Sequence, residues 1–288
     1  MSGSGVIAAR AERRLRSGYR TRPGRAGSLK MRSGVGLLAV LVVAGIVVPL
    51  VHGSVNTENL LDRLLPPSGA HPFGTDELGR DLFARCLAAV RIDLPLGIAG
   101  AVLPAVLGTA LGLISGYAGK WADQVIMRIG DMIQAFPSYI LLVILAFIVG
   151  PGVESFLISL AILSWVAYAR LVRSQVLLLR EQDFIHAARL GGIGSRRVLV
   201  RHLLPNVLPQ VIVYLAADAT FALITLSGLS FLGLGIAEPT AEWGLMLDNG
   251  RLFINSAWWL TAFPGLMIVL AAGAFALISD ALDDRSRI

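Results

Sequence analysis

The side chains that could do chemistry concentrate in one short stretch, residues 181–205 (EQDFIHAARLGGIGSRRVLVRHLLP), here named the polar insert. It holds four arginines, two histidines and a glycine cluster inside a strongly apolar chain. Guanidinium groups bind carboxylates and phosphates, so the insert could engage an acidic protein surface or anionic lipid. We expect it to face water, because charged side chains are costly in hydrocarbon.

Signatures of catalysis and of nucleotide binding are missing from the sequence. Neither H-E-x-x-H nor G-x-S-x-G occurs, and the Gly-Lys pair at residues 119–120 has Ile114 where a P-loop needs its first glycine. Cys86 is the only cysteine. Four histidines lie scattered along the chain: His52, His71, His186 and His202. We therefore expect no catalytic residue, no metal site and no cofactor bound by this chain.

Asp218 is an ionisable residue in the middle of an apolar stretch, VIVYLAADATFALITL. It could serve as the proton or cation site of a secondary transporter driven by an ion gradient. Alternatively, its carboxylate faces the interior of a helix bundle and pairs with a neighbouring Ser, Thr or backbone group. The second interpretation is favoured, because the sequence contains no visible relay of further ionisable partners.

The elements that position these residues are apolar helices. The chain has 288 residues, of which 55% are hydrophobic and 15% charged, and a bilayer core needs roughly 20 apolar residues per helix. Six stretches meet that requirement: 35–51, 94–118, 129–150, 153–172, 207–235 and 257–279. The pattern predicts an all-α polytopic membrane protein with six transmembrane helices.

The same pattern divides the chain into segments. We expect a basic N-terminal tail at 1–34, a first transmembrane helix at 35–51 and a loop at 52–93. A five-helix core at 94–280, which includes the polar insert, and a short tail at 281–288 complete the chain.

The distribution of positive charge predicts the orientation. All but five of the 25 lysines and arginines fall in the two tails, in 119–128 or in the region of the polar insert. Cytoplasmic loops carry the excess of Lys and Arg, so we expect both termini in the cytoplasm. The basic tail is better explained by contact with lipid than by a nucleic-acid arm or a targeting peptide.

Within the polar insert, the spacing predicts two short helices. Phe184, Ala187 and Ala188 share one face of a first helix, which the glycines at 191–194 end. Ser195 is the expected N-cap of a second helix over 196–204, which Pro205 should stop before Asn206 caps the fifth span.

Arg196 and Arg197 then stand in the first turn of that second helix, where the helix dipole disfavours cations. An acidic surface opposite them would offset this cost. A solvated basic loop near anionic lipid and a docking element for a separate cytoplasmic protein explain the insert equally well.

The insert also resembles the cytoplasmic EAA loop of ABC-importer permeases. Its matching positions are His186-Ala187-Ala188, Gly192 and the ending His202-Leu203-Leu204-Pro205. The family usually has Glu at the position of His186, and an apolar residue at the position of His202.

Further stretches narrow the resemblance to the "C" permeases of dipeptide, oligopeptide and nickel importers. HPFGTDELGRDLFAR (71–85) is similar to that group's H-P-x-G-T-D-x-x-G-R-D signature, and SFLGLGIAEPTAEWGLML (230–247) is similar to its S-F-L-G-L-G stretch. AFPSYILL (135–142) and YARLVRSQVLLLRE (168–181) also match, in the expected order.

The resemblance implies a type I ABC-importer permease of the bacterial inner membrane that forms half of a translocation pathway for peptides or similar small solutes. It implies a second permease subunit, two cytoplasmic ATPases that carry ATP-Mg, and an extracytoplasmic solute-binding protein. The residues expected to couple this chain to an ATPase are Phe184, His186, Ala187, Ala188, Arg189, Gly192, Ser195 and Arg196.

A second set of residues lies on the expected outer side of the membrane. The resemblance suggests that they form a gate or a contact for the binding protein, although a purely structural role, holding the loop against the second span, stays equally open. The set comprises His71, Asp76, Arg80, Asp81, Glu242 and Trp243.

Overall fold

A computed structural model describes residues 23–286, and across this range the fold consists of helices with no β-strand. The helices are α1 (Pro23–His52), α2 (Leu82–Ala118), α3 (Lys120–Gln134), α4 (Ser138–Val149), α5 (Val153–Leu179), α6 (Asp183–Leu190), α7 (Ser195–Val198), α8 (Leu204–Phe231), α9 (Trp243–Arg251) and α10 (Trp259–Ser286). A short 3-10 helix (Leu60–Asp62) precedes α2, and a π-helical turn (Leu199–Leu203) joins α7 to α8.

The prediction of an all-α membrane protein with six spans is confirmed. Five helical stretches are long and apolar enough to cross a bilayer, and the pair α3 and α4 makes a sixth if it counts as one bent span. The five are Gly27–Val51, Leu82–Ala118, Val153–Leu179, Ser195–Phe231 and Trp259–Arg285.

The third span differs from the single helix expected at 129–150. It is broken, and the axes of α3 and α4 meet at 90°. The break coincides with Pro137, which directly precedes α4. Proline has no N–H to donate, and its ring disfavours a helical conformation at the preceding residue.

Several segment boundaries also differ from those expected. Of the predicted tail at 1–34, residues 1–22 lie outside the described range, whereas residues 23–34 form the first turns of α1. The predicted loop at 52–93 is shorter, because Asp81 caps α2 and the helix begins at Leu82. Residues 281–286 continue α10, and residues 287–288 lie outside the described range.

The most extensive helix pairing among residues 23–286 joins α2 to α5, and three glycines on one face of α2 permit it. Gly108, Gly112 and Gly116 recur every four residues along one face of α2. A Cβ atom at Gly112 would lie 2.6 Å from the Ala169 carbonyl oxygen, and one at Gly116 would lie 2.8 Å from the Val176 side chain. Small residues at this spacing let helix backbones approach closely in membranes.

Candidate functional site

The polar insert folds as a helical hairpin at one end of the bundle. α6 ends at Leu190, and the chain turns through Gly192, which adopts a positive φ of 75°. The backbone N–H of Ile193 donates to the Ala188 carbonyl at 3.1 Å, which closes the turn. A positive φ strains residues with a Cβ, so this position suits glycine.

Three apolar side chains anchor the hairpin to the bundle. Ile185, Val198 and Leu203 are completely buried and pack in one cluster with Val172 and Val176 of α5. Sequence reasoning missed these anchors. The available signal was the presence of isolated branched apolar residues within an otherwise polar stretch.

Two arginines contact the end of α2: Arg180, which directly follows α5, and Arg189 of the hairpin. Arg180 Nη1 donates to the Gly116 carbonyl at 3.1 Å. The Arg189 guanidinium lies 4.8 Å from the centre of the Tyr117 ring, a cation–π contact. The hairpin is therefore fixed to both α2 and α5.

The face of the hairpin that points away from the bundle is exposed and partly apolar. Phe184 is 45% exposed and Leu190 is 90% exposed. His186, Ala187 and Gly192 are exposed as well, whereas Ala188 is half-buried. Large apolar side chains on an exposed face outside the expected membrane region are typical of an interaction surface.

The second half of the insert carries an open basic surface. Arg196, Arg197 and Arg201 line a shallow recess, and within residues 23–286 none of them forms an ion pair. The prediction that Ser195 caps this helix is wrong. Gly194 occupies the N-cap position with an extended backbone, and no side-chain hydrogen bond caps the helix.

The predicted end of the second helix at Pro205 is also wrong. The π-turn Leu199–Leu203 carries the helical path directly into α8, in which Pro205 occupies the first turn. A proline ring would clash with the carbonyl of a regular preceding α-turn, and the wider π-turn relieves that clash. Asn206 does not cap α8, since its amide donates to the His202 carbonyl at 2.5 Å.

At the opposite end of the bundle, a buried ion pair organises the loop between α1 and α2. Arg80 Nε lies 2.6 Å from Asp76 Oδ2, and Asp76 Oδ1 accepts hydrogen bonds from the backbone N–H groups of Leu78 and Arg80, each at 2.9 Å. Arg80 is 2% exposed and Asp76 is 4% exposed. A buried charge at this depth requires such partners.

The same ion pair extends to the loop between α8 and α9. Arg80 Nη2 lies 3.3 Å from Glu238 Oε1, and Asn249 donates to that same oxygen at 2.7 Å. Arg85, which is buried, donates to Asn56 Oδ1 at 2.5 Å. We name this set of charged side chains the loop network; it comprises Asp76, Arg80, Arg85 and Glu238. Sequence reasoning missed Arg85 as a member, whereas it considered Glu238 together with Glu242 and Trp243 for either a contact or a structural role.

The remaining predicted outer residues cap or hold helices. His71 Nδ1 lies 2.7 Å from Asp81 Oδ2, and Asp81 Oδ1 accepts from the Ala84 N–H at the start of α2. Glu242 caps α9, accepting hydrogen bonds from the backbone N–H groups of Gly244 and Leu245 at 2.9 Å and 2.7 Å. Burial raises the pKa of Glu242.

Trp243 completes this end of the fold. Its ring is fully buried, and its Nε1 donates to the Cys86 carbonyl of α2 at 2.8 Å. Of the six predicted outer residues, the structure buries four within the chain itself: Asp76, Arg80, Glu242 and Trp243. Their contacts are those of the structural role that the sequence left open.

Asp218 lies between the two ends, at the middle of α8, and is 8% exposed. Its Oδ2 accepts a hydrogen bond from the hydroxyl of Tyr168 on α5 at 2.9 Å. The carboxylate thus faces the bundle, as the favoured interpretation holds, although its partner is a tyrosine rather than Ser, Thr or backbone. The two residues are 50 positions apart, and no sequence signal connects them.

Known proteins are similar to this chain in sequence and in the arrangement of their helices. The family model of the binding-protein-dependent transport system inner membrane component matches residues 108–288. The dipeptide transport system permease protein DppC of Alkalihalophilus pseudofirmus is 41% identical over 253 residues, which cover 87% of this chain and 83% of that protein. The nickel transport system permease protein NikC of Escherichia coli K12 is 40% identical, covering 78% and 82%.

The fold also matches a solved transporter. The inward-facing MetNI methionine ABC transporter superposes with a TM-score of 0.54 at 19% identity, covering 70% of this chain and 95% of the other. Because the family model spans more than half of the chain and the relatives align over most of it, the chain belongs to the family of inner membrane components of binding-protein-dependent transport systems.

Proposed function

We propose that this chain is a permease subunit of an ATP-driven importer and forms half of the translocation pathway. A separate cytoplasmic ATPase binds the polar insert and moves the chain. The observation that carries the proposal is the two-sided character of the hairpin. Its inner face is fixed to the bundle by Ile185 and Val198, whereas Leu190 is 90% exposed and Phe184 is 45% exposed on the other face.

A docking element needs this combination. Exposed apolar side chains provide contact area for a partner, and alanines allow its close approach. The fixed inner face then transmits displacement, because packed helices move as bodies rather than deform. Three of the predicted coupling residues, Phe184, His186 and Ala187, lie on the exposed surface.

The orientation follows from charge. The basic recess of Arg196, Arg197 and Arg201 lies on the same hairpin, and positive segments favour the cytoplasmic side. We therefore place the insert and both termini in the cytoplasm, and the loop network on the outer side. The energy source is ATP-Mg on the partner ATPases, since the sequence of this chain lacks a P-loop.

The transported solutes are peptides or similarly small compounds. This part of the proposal is supported by the relatives, whose names specify dipeptide and nickel transport. A second permease subunit would complete the pathway, and an extracytoplasmic binding protein would deliver the solute. The buried state of Arg80 and Trp243 favours a structural role for the outer set, so that it shapes the surface a binding protein meets.

The decisive experiment replaces an exposed apolar residue on the insert. Leu190→Asp should remove the ATPase subunits from the purified complex and abolish ATP-dependent uptake into proteoliposomes, with this chain still inserted. Leu61→Asp is the matched control, because Leu61 is 92% exposed in the loop at the opposite end, and that variant should retain the ATPases.

Two outcomes would contradict the proposal. One is normal uptake and normal ATPase association in the Leu190 variant. The other is uptake by this chain driven by an ion gradient without ATP, which would instead favour a secondary transporter that uses Asp218.

A further inference from the structure

A cavity of about 460 Å³ opens beside Asp218. Its volume lies within the range of small-molecule sites, roughly 300–1,000 Å³. The break between α3 and α4 forms part of its wall, since the last residue of α3 and the first of α4 both line it. Its main polar and aromatic lining residues are Gln134, Tyr139, Ser164, Tyr214, Asp218 and Phe221.

Among residues 23–286, Asp218 is the one charged side chain that lines this cavity. No Lys, Arg or His among residues 23–286 lines it. Tyr168 forms the single hydrogen bond that the Asp218 carboxylate makes within the described part of the chain, and that bond uses only Oδ2. Oδ1 is left available for a ligand.

The hydrogen bond from Tyr168 also fixes the carboxylate. Tyr168 is fully buried, and its ring packs edge-on against Tyr214 with the ring centres 4.8 Å apart. The carboxylate is thus held by a rigid support while an aromatic side chain that lines the cavity stands beside it. Aromatic faces next to a carboxylate are the usual surroundings of a bound ammonium group.

We propose that this cavity binds the ammonium group of a solute in transit, with Asp218 as the charge partner and Tyr214 as an aromatic neighbour. The proposal rests on the importer function and adds a feature of its solutes: a free, positively charged amine. An ammonium suits the site because it brings the positive charge that the lining lacks, together with three donors for the carboxylate oxygen that Tyr168 leaves available.

The first experiment measures binding without transport. Radiolabelled phenethylammonium should bind to the detergent-purified transporter, in the absence of binding protein, at least about tenfold more tightly than N-acetylphenethylamine. Asp218→Asn should remove this preference and Asp218→Glu should retain part of it. Asp280→Asn is the matched control, because Asp280 is an exposed carboxylate near the end of α10.

The second experiment measures uptake with the same binding protein in every assay. The selectivity of that binding protein then affects the variant and the wild type equally, and it cancels when their uptake rates are divided. Asp218→Asn should slow ATP-driven uptake of a dipeptide with a free amino group by about tenfold and leave uptake of its N-acetylated form nearly unchanged. A misfolded variant would lose both solutes together.

The other outcomes overturn either the inference or the proposed function on which it rests. Equal binding of the amine and its acetylated form by the wild type would show that the cavity does not distinguish a charged amine from a neutral amide. Equal losses for both solutes, or loss of the second permease from purified Asp218→Asn, would assign the carboxylate to assembly. Wild-type complex that binds the amine selectively but imports no peptide would contradict the proposed solute class and leave the site standing.

Discussion

The two ends of this molecule handle charge in opposite ways. In the loop network, Arg80 is 2% exposed and bonds to carboxylates from two separate loops. In the polar insert, Arg196 and Arg197 are exposed and form no ion pair within residues 23–286. Both sets look alike in the sequence, as arginines beside glycines and short polar residues.

The difference separates residues that serve the fold from residues left available for a partner. A buried arginine with satisfied donors has no remaining surface to offer, whereas an exposed one on a fixed hairpin does. Substitutions in the loop network should therefore lower stability, and substitutions on the insert surface should lower assembly while stability stays constant.

The largest expected effect on stability comes from Arg80→Met. Removing this guanidinium leaves the Asp76 carboxylate buried without its partner, which costs about 3–5 kcal/mol of unfolding free energy. The thermal unfolding temperature of the purified protein should fall sharply. Arg251→Met is the matched control, because Arg251 is 55% exposed and pairs with Asp248, and exposed pairs contribute about 0–1 kcal/mol. Equal shifts in the two variants would break the comparison.

A smaller loss of stability should follow Gly79→Ala. Gly79 has a φ of 73°, and a Cβ atom there would overlap the Asn59 carbonyl. Backbone strain of this kind costs about 1–3 kcal/mol. Gly69→Ala is the control, since a Cβ at Gly69 would meet nothing within 4 Å. An unchanged unfolding temperature in Gly79→Ala would mean that the loop is less tightly packed than the structure has it.

The smallest effect should come from His186→Glu. His186 is exposed on the insert, and surface substitutions usually change stability by no more than about 0.5 kcal/mol. The unfolding temperature should stay constant, and ATP-driven uptake should be retained, because the family usually carries Glu at this position. A drop in unfolding temperature as large as that of Gly79→Ala would show that His186 contributes to stability. The contrast between the insert surface and the loop network would then no longer hold.

Composition and local chemistry were enough to predict the outline of the fold. Apolar length predicted the spans, and the glycine cluster predicted the turn of the hairpin at Gly192. Local chemistry also gave a wrong prediction of a helix end, because proline is typical of such an end but Pro205 lies within a continuous helical path. The π-turn that precedes it ends at Leu203, which is completely buried, and such tertiary packing is not visible in the local sequence.

Pairings between distant residues could not be predicted. Arg80 and Glu238 are 158 positions apart, and Asp218 and Tyr168 are 50 apart. Whether an acid is isolated or paired depends on which helices become neighbours, and a single sequence carries no direct signal of that. For the same reason, the sequence could not distinguish a binding surface from a structural network in the outer loops.

The length of α2 has a mechanical consequence. This helix of 37 residues is roughly 55 Å long at 1.5 Å per residue. Its first turn is capped by Asp81, and its last turn touches Arg180 and Arg189. A displacement of the hairpin would therefore either tilt this helix as a whole or bend it at Pro95 and Pro104. If an ATPase docks on the hairpin as proposed, either response would carry its displacement along α2 to the loop that precedes Asp81 at the opposite end of the helix.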